Sequence, residues 1–124
     1  MRAYVYETIN SGGCGMITGM FEIKAIHEIS DYFSCLLLGD PCISEKEYLK
    51  YKGDKNIYGL VIENPVKYEP IELSMTGIYY APQSWRYIGS EGDILLSIHK
   101  KYAELIYSGK KTIEIRKTYP KEIF

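Results

Sequence analysis

The segment Asp93-Ile-Leu-Leu-Ser-Ile-His-Lys-Lys-Tyr-Ala-Glu-Leu-Ile-Tyr-Ser-Gly-Lys-Lys-Thr-Ile-Glu-Ile-Arg-Lys117 sets the reading of this chain. Ile94 to Ile98 is a short apolar run, and the residues after it change period. Tyr102, Leu105 and Ile106 recur at helical spacing, and Gly109 stands where a helix needs a residue tolerant of positive φ to stop it. Beyond Gly109 the period drops to two: Ile113 and Ile115 take one face, Thr112, Glu114 and Arg116 the other. The pattern therefore predicts strand, helix, tight turn, strand. A carboxylate and a guanidinium two residues apart on a strand point the same way, about 7 Å apart along it. This allows two readings. Glu114 and Arg116 form either a solvated strand face beside a charged turn or one wall of a cleft over which Lys110 and Lys111 reach.

Towards the N-terminus, Arg2 to Thr8 is β-branched and aromatic enough for a strand, and Met16 to Ile26 alternates as a longer one. Gly19 marks a bulge or a close backbone approach in it. The glycine-rich Asn10–Gly15 loop between the two strands reads as a hairpin connection or as backbone N–H groups open to a phosphate. Ile29 to Leu38 predicts a helix with Ser30 or Asp31 as N-cap and Gly39 at its end. Ser44 with Glu47 is a capping-box signature for a short helix through Tyr51. Ile57 to Glu63 is a nearly apolar, central strand. Pro65 and Pro70 are expected to break the chain beyond it, leaving Val66–Glu69 as an edge strand.

Gln83, Ser84, Trp85 and Arg86 bring an amide, a hydroxyl, the sole indole and a guanidinium into one short segment. It reads either as a surface loop clipped down by Trp85, or as a pocket wall with Arg86 on an anion or a base edge.

With 124 residues, 46% of them hydrophobic and 25% charged, the chain suits one soluble domain with its own core. The net charge of −1 excludes coating nucleic acid by bulk charge. Between His99 and Lys121, however, Lys100, Lys101, Lys110, Lys111, Arg116, Lys117 and Lys121 face only Glu104 and Glu114, so one local face can be electropositive. The 13 tyrosines serve core and rim packing or base stacking. Cys14, Cys35 and Cys42, with His27 and His99, lack the spacing of a zinc site, so no metal and no cofactor are expected. No signal segment or membrane-length apolar run is seen, and the expected location is the cytoplasm, with no membrane partner.

The string from Leu96 to Arg116, closing on Gly-Lys-Lys-Thr-x-Glu-x-Arg, resembles the opening motif of ASCH domains in the PUA-like superfamily. Gly109, Lys111, Glu114 and Arg116 are the positions that match. Met16–Ile23, the helix at Ser44 with Tyr48 and Tyr51, Tyr58–Glu63 and Ala81–Ile88 resemble later parts of the same pattern, yet here they come first. The resemblance thus implies a circularly permuted domain: 1–88 as the C-terminal portion, 89–93 as a linker, and 94–124 as the N-terminal portion, together one domain. Exchange of halves between two chains is the rival, so the expected state is a monomer or a half-exchanged homodimer.

The fold implied is α+β, a small mixed PUA-like β-barrel of about five to six strands with peripheral helices. The function implied is binding of RNA or a nucleotide-like small molecule in a cationic cleft lined by Lys110, Lys111, Glu114, Arg116, Gln83, Ser84, Trp85 and Arg86. The alternative is a hydrolase acting on RNA or on an acylated nucleoside such as acetylcytidine, with Lys111 and Glu114 as catalytic pair. In the family's amidohydrolase branch a threonine stands three residues after the lysine, and Glu114 occupies that place here. His99 stands where the family often carries a lysine, and reads as a helix-start residue.

Overall fold

The computed structural model describes residues 1–89 and 92–120. Among them, six strands and three α-helices form an α+β fold, a curled half-barrel sheet that agrees with a small PUA-like barrel. The strands are β1 (Arg2–Glu7), β2 (Ile17–Ile29), β3 (Ile57–Ile71), β4 (Trp85–Ile88), β5 (Asp93–Ile98) and β6 (Ile113–Arg116), and the helices are α1 (Tyr32–Leu38), α2 (Glu45–Lys52) and α3 (Lys100–Tyr107). The order across the sheet is β4-β5-β1-β2-β3-β6, with β1 and β5 parallel and the other neighbouring pairs antiparallel.

The curl has a local cause. The β2–β3 ribbon changes register between Ile17 and Gly19, between Met20 and Glu22, and between Ile23 and Ala25. Each irregularity bends the strand and adds right-handed twist, so a long ribbon coils and brings β6 round towards the β4–β5 side. Gly19 sits at the first of them. A Cβ there would collide with the Val66 carbonyl oxygen and lie 2.6 Å from the Tyr107 hydroxyl, so only glycine lets β2 approach β3 and α3 this closely.

Alternation along the strands buries two faces. On one, Ala3, Val5, Phe21, Leu60, Ile94, Leu96 and Ile98 pack with Ala103 and Ile106 of α3. On the other, Ile29, Ile57, Ile113 and Ile115 pack with Cys35 of α1 and Tyr48 of α2. Two of the helices start at side-chain caps. Asp31 accepts a hydrogen bond from the Ser34 amide to start α1, and Ser44 and Glu47 cap each other's backbone at the start of α2.

Three expectations are corrected. Ile29 ends β2 rather than opening a helix, because its pairing with Ile57 extends the ribbon. Pro65 and Pro70 do not break the chain: β3 continues to Ile71, since β6 pairs only with Tyr58–Val61 and the later half needs no donors on that side. Trp85 lies on a strand, held antiparallel to Leu96, rather than in a loop. Of the linker expected at 89–93, Asp93 is the first residue of β5 and pairs with Ile88, and positions 90 and 91 lie outside the described residues. Among the described residues no helix is long and apolar enough to cross a membrane.

Candidate functional site

The turn after α3 places the first side chain. Gly109 takes φ 81, and the amides of Lys110 and Lys111 both donate to the Leu105 carbonyl, so the chain reverses tightly. That reversal points Lys111 inward, with 2% of its surface exposed. Its ammonium donates to the Pro41 carbonyl at 2.6 Å, pairs with Glu114 Oε1 at 3.1 Å, and stands 5.1 Å from the centre of the Tyr102 ring. The Pro41 segment is itself tied to β6: the Thr112 amide donates to the Asp40 carbonyl, and the Asp40 amide donates to Thr112 Oγ1.

Glu114 lies opposite Leu60 and shares the α3-facing side of the sheet, where it is buried. Its Oε2 accepts from Arg116 Nε at 3.0 Å and Nη2 at 2.6 Å. The remaining Arg116 donors cross to other elements: Nη1 to the carbonyl and hydroxyl of Ser84, Nη2 to the Ser97 carbonyl. All five guanidinium N–H groups therefore have protein acceptors. Burial pushes the Glu114 carboxyl up, but the Lys111 and Arg116 charges and hydrogen bonds outweigh it and hold it below the usual carboxylate range. Two cations and one anion leave the trio with one net positive charge.

Above the trio opens a cleft of about 710 Å³. Glu47, Lys50 and Tyr51 of α2, His99 and Tyr102 at the start of α3, and Gln83 and Ser84 ahead of β4 all line it. The His99 and Tyr102 rings stack with centroids 6.4 Å apart, and the Lys117 ammonium lies 4.8 Å from the Tyr51 ring centre. Burial raises the pKa of both the Tyr51 and Tyr102 hydroxyls, so the rings stay neutral. The lining carries Lys50, Lys111, Arg116 and Lys117 against Glu47 and Glu114, four cations to two carboxylates.

Of the residues expected at a site, Lys111, Glu114, Arg116, Gln83 and Ser84 line this cleft. Lys110 is exposed outside the lining. Trp85 donates from Nε1 to Thr118 Oγ1 at 3.0 Å and meets the Tyr87 ring edge-on, so it fastens β4 to the segment after β6. Arg86 is exposed and turns back to the Tyr87 carbonyl. Sequence reasoning missed Lys50, Tyr51 and Tyr102 as lining residues. The signal was present for α2: Glu47, Lys50 and Tyr51 are three and four residues apart, so they share one helical face. Among the described residues no group of three or more His, Cys, Asp or Glu side chains converges to hold a metal, and Cys14, Cys35 and Cys42 are free thiols.

Residues 96–123 match the profile of the ASCH domain, a PUA-like family associated with RNA binding. The match runs from Leu96 of β5 through α3 and β6, and so takes in Lys111, Glu114 and Arg116. No curated protein and no solved structure matches the chain significantly.

Proposed function

We propose that this protein binds RNA or a nucleotide through the cleft beside β6. The observation that carries the reading is the cleft itself, about 710 Å³ with Tyr51, His99 and Tyr102 on its walls and an excess of positive charge in its lining. Aromatic walls offer a flat base a stacking surface, and the charge suits its phosphate. The volume lies in the range of small-ligand pockets. The ASCH match over residues 96–123 supports the same direction. The test is the affinity of short RNA oligomers measured across salt concentrations, for wild type and Tyr102→Leu. Binding that weakens with salt, and by about 10-fold on loss of the ring, is expected. A flat salt slope and an indifferent variant reject the cleft.

Hydrolysis of RNA or of an acylated nucleoside is the second reading, with Lys111 and Glu114 as the pair. Its difficulty is chemical. A general base needs an oxygen free to take a proton, and Glu114 gives one oxygen to Lys111 and the other to Arg116 while its carboxyl is held low. Binding without turnover is the better fit. Release of acetate from acetylcytidine by wild type, lost in Glu114→Gln, would reverse the preference.

On the same reading the chain is a single domain in exchanged order, with 1–88 and 94–124 as its two portions. Support comes from the family match falling on residues 96–123 and from the antiparallel pairing of Ile88 with Asp93. A chain reopened at 90 and 91, with its present ends joined by a long flexible linker, is expected to fold and keep RNA affinity. An unfolded product would count against the exchange.

A further inference from the structure

The cations at the floor of the cleft are already used. Arg116 has an acceptor for each of its five N–H groups, and Lys111, 2% exposed, serves the Pro41 carbonyl and Glu114. A ligand that took either as a phosphate partner would have to break a buried pair, leaving Glu114 charged and short of partners. The lining holds two other cations that are exposed and enter no ion pair among the described residues: Lys50 on α2 and Lys117 just beyond β6. They share one rim. Lys50 precedes Tyr51 in α2, and Lys117 places its ammonium 4.8 Å from the Tyr51 ring centre. Glu47 is the other carboxylate of the lining besides Glu114, and one of its oxygens accepts from the Ser44 amide. The lining also holds groups different in kind: the stacked His99 and Tyr102 rings, and the exposed Gln83 amide, which has no hydrogen-bond partner among the described residues.

We infer that the cleft is divided, with a phosphate rim made by Lys50 and Lys117 and a base side made by Tyr102, His99 and Gln83, over a Lys111–Glu114–Arg116 floor that touches no phosphate. The inference rests on the nucleotide-binding reading and sharpens it: the ligand unit is a nucleoside monophosphate, free or as one nucleotide of an RNA strand. A flat ring goes to the ring wall, since every base has a π-face that can stack. A dianion goes to the two hydrated ammonium groups, which can turn towards it without giving up a buried partner. The amide of Gln83 carries both donors and an acceptor for a base edge.

The experiment is calorimetric titration with the four ribonucleosides, their 5′-monophosphates and a hexamer of uridylate. Wild type is compared with the Lys50→Gln/Lys117→Gln double variant, both side chains being exposed and the fold checked by circular dichroism. In wild type the monophosphates are expected to bind about 5- to 20-fold more tightly than their nucleosides at low salt, with the advantage shrinking as salt rises. In the double variant that ratio falls to about one. Loss of the ratio with the hexamer also weakened assigns the rim to strand phosphates as well; loss for monophosphates alone assigns it to a terminal phosphate. Equal binding of nucleoside and nucleotide by wild type overturns the rim and leaves the cleft reading standing. A phosphate advantage that survives in the double variant also overturns the rim. Absence of binding by any nucleoside, nucleotide or hexamer rejects both.

Discussion

Arg116 and Ser84 meet across the open side of the half-barrel: Nη1 of the arginine donates to both the hydroxyl (3.1 Å) and the carbonyl (3.3 Å) of the serine. β6 and β4 are the two edges of the sheet and are not neighbours in its ladder. The guanidinium, reaching Ser84 and the Ser97 carbonyl from Glu114, joins those edges by side-chain bonds. Trp85 adds a second fastening through Thr118.

Replacing Arg116 by Met removes that join and leaves Glu114 with Lys111 alone. Loss of one partner of a buried charge pair costs about 3 kcal/mol or more, and Arg116→Lys restores only part of it because an ammonium lacks the planar fork. Urea denaturation monitored by tryptophan fluorescence measures both. A change under about 0.5 kcal/mol, the range of an ordinary surface substitution, would refute the bridging role.

The carboxyl of Glu114 sets a pH dependence of definite sign. Its folded-state pKa lies below the ordinary value near 4.5, so the stability it contributes is complete above that value and is lost as pH falls through the lower folded one. Glu114→Gln is expected to be less stable than wild type at pH 7, and the gap between them to narrow as the pH drops below about 4. Paired denaturation curves at pH 7 and pH 3 decide it; a gap that widens in acid has the wrong sign.

Gly19→Ala drives a methyl group into the Val66 carbonyl and to within 2.6 Å of the Tyr107 hydroxyl. Either β2 parts from β3 or α3 shifts, and the hydrogen bond between Tyr107 and Thr18 is disturbed in both cases. Overpacking of this kind costs about 1–3 kcal/mol. A melting temperature within a degree of wild type would show that the ribbon yields more easily than its geometry implies.

Tyr48 is 1% exposed and its hydroxyl has no hydrogen-bond partner among the described residues. Tyr48→Phe removes an unpaired polar atom and keeps the ring against Tyr32 and the core. Unlike nearly every other core substitution, it is expected to be neutral or to stabilise by about 1 kcal/mol. Clear destabilisation in urea would point to a hydrogen bond made in solution.

Local pattern accounts for a good deal of this molecule. The capping box of Ser44 and Glu47, the stop at Gly109 and the two-residue period from Thr112 to Arg116 each depend on neighbours a few residues away, so each is legible in the string. That Glu114 and Arg116 point the same way follows from strand geometry alone. Which edges meet is a property of the folded chain. β3 runs through two prolines because β6 stops pairing at Val61, and the segment at Trp85 is a strand because Leu96 lies beside it. The same holds for the cleft: Lys50, Tyr51 and Tyr102 join Lys111 only once α2 and α3 pack around β6. Period and caps are short-range properties of a sequence, whereas the partner of an edge, a guanidinium or a buried ammonium is chosen by where the curl of the sheet brings distant segments together.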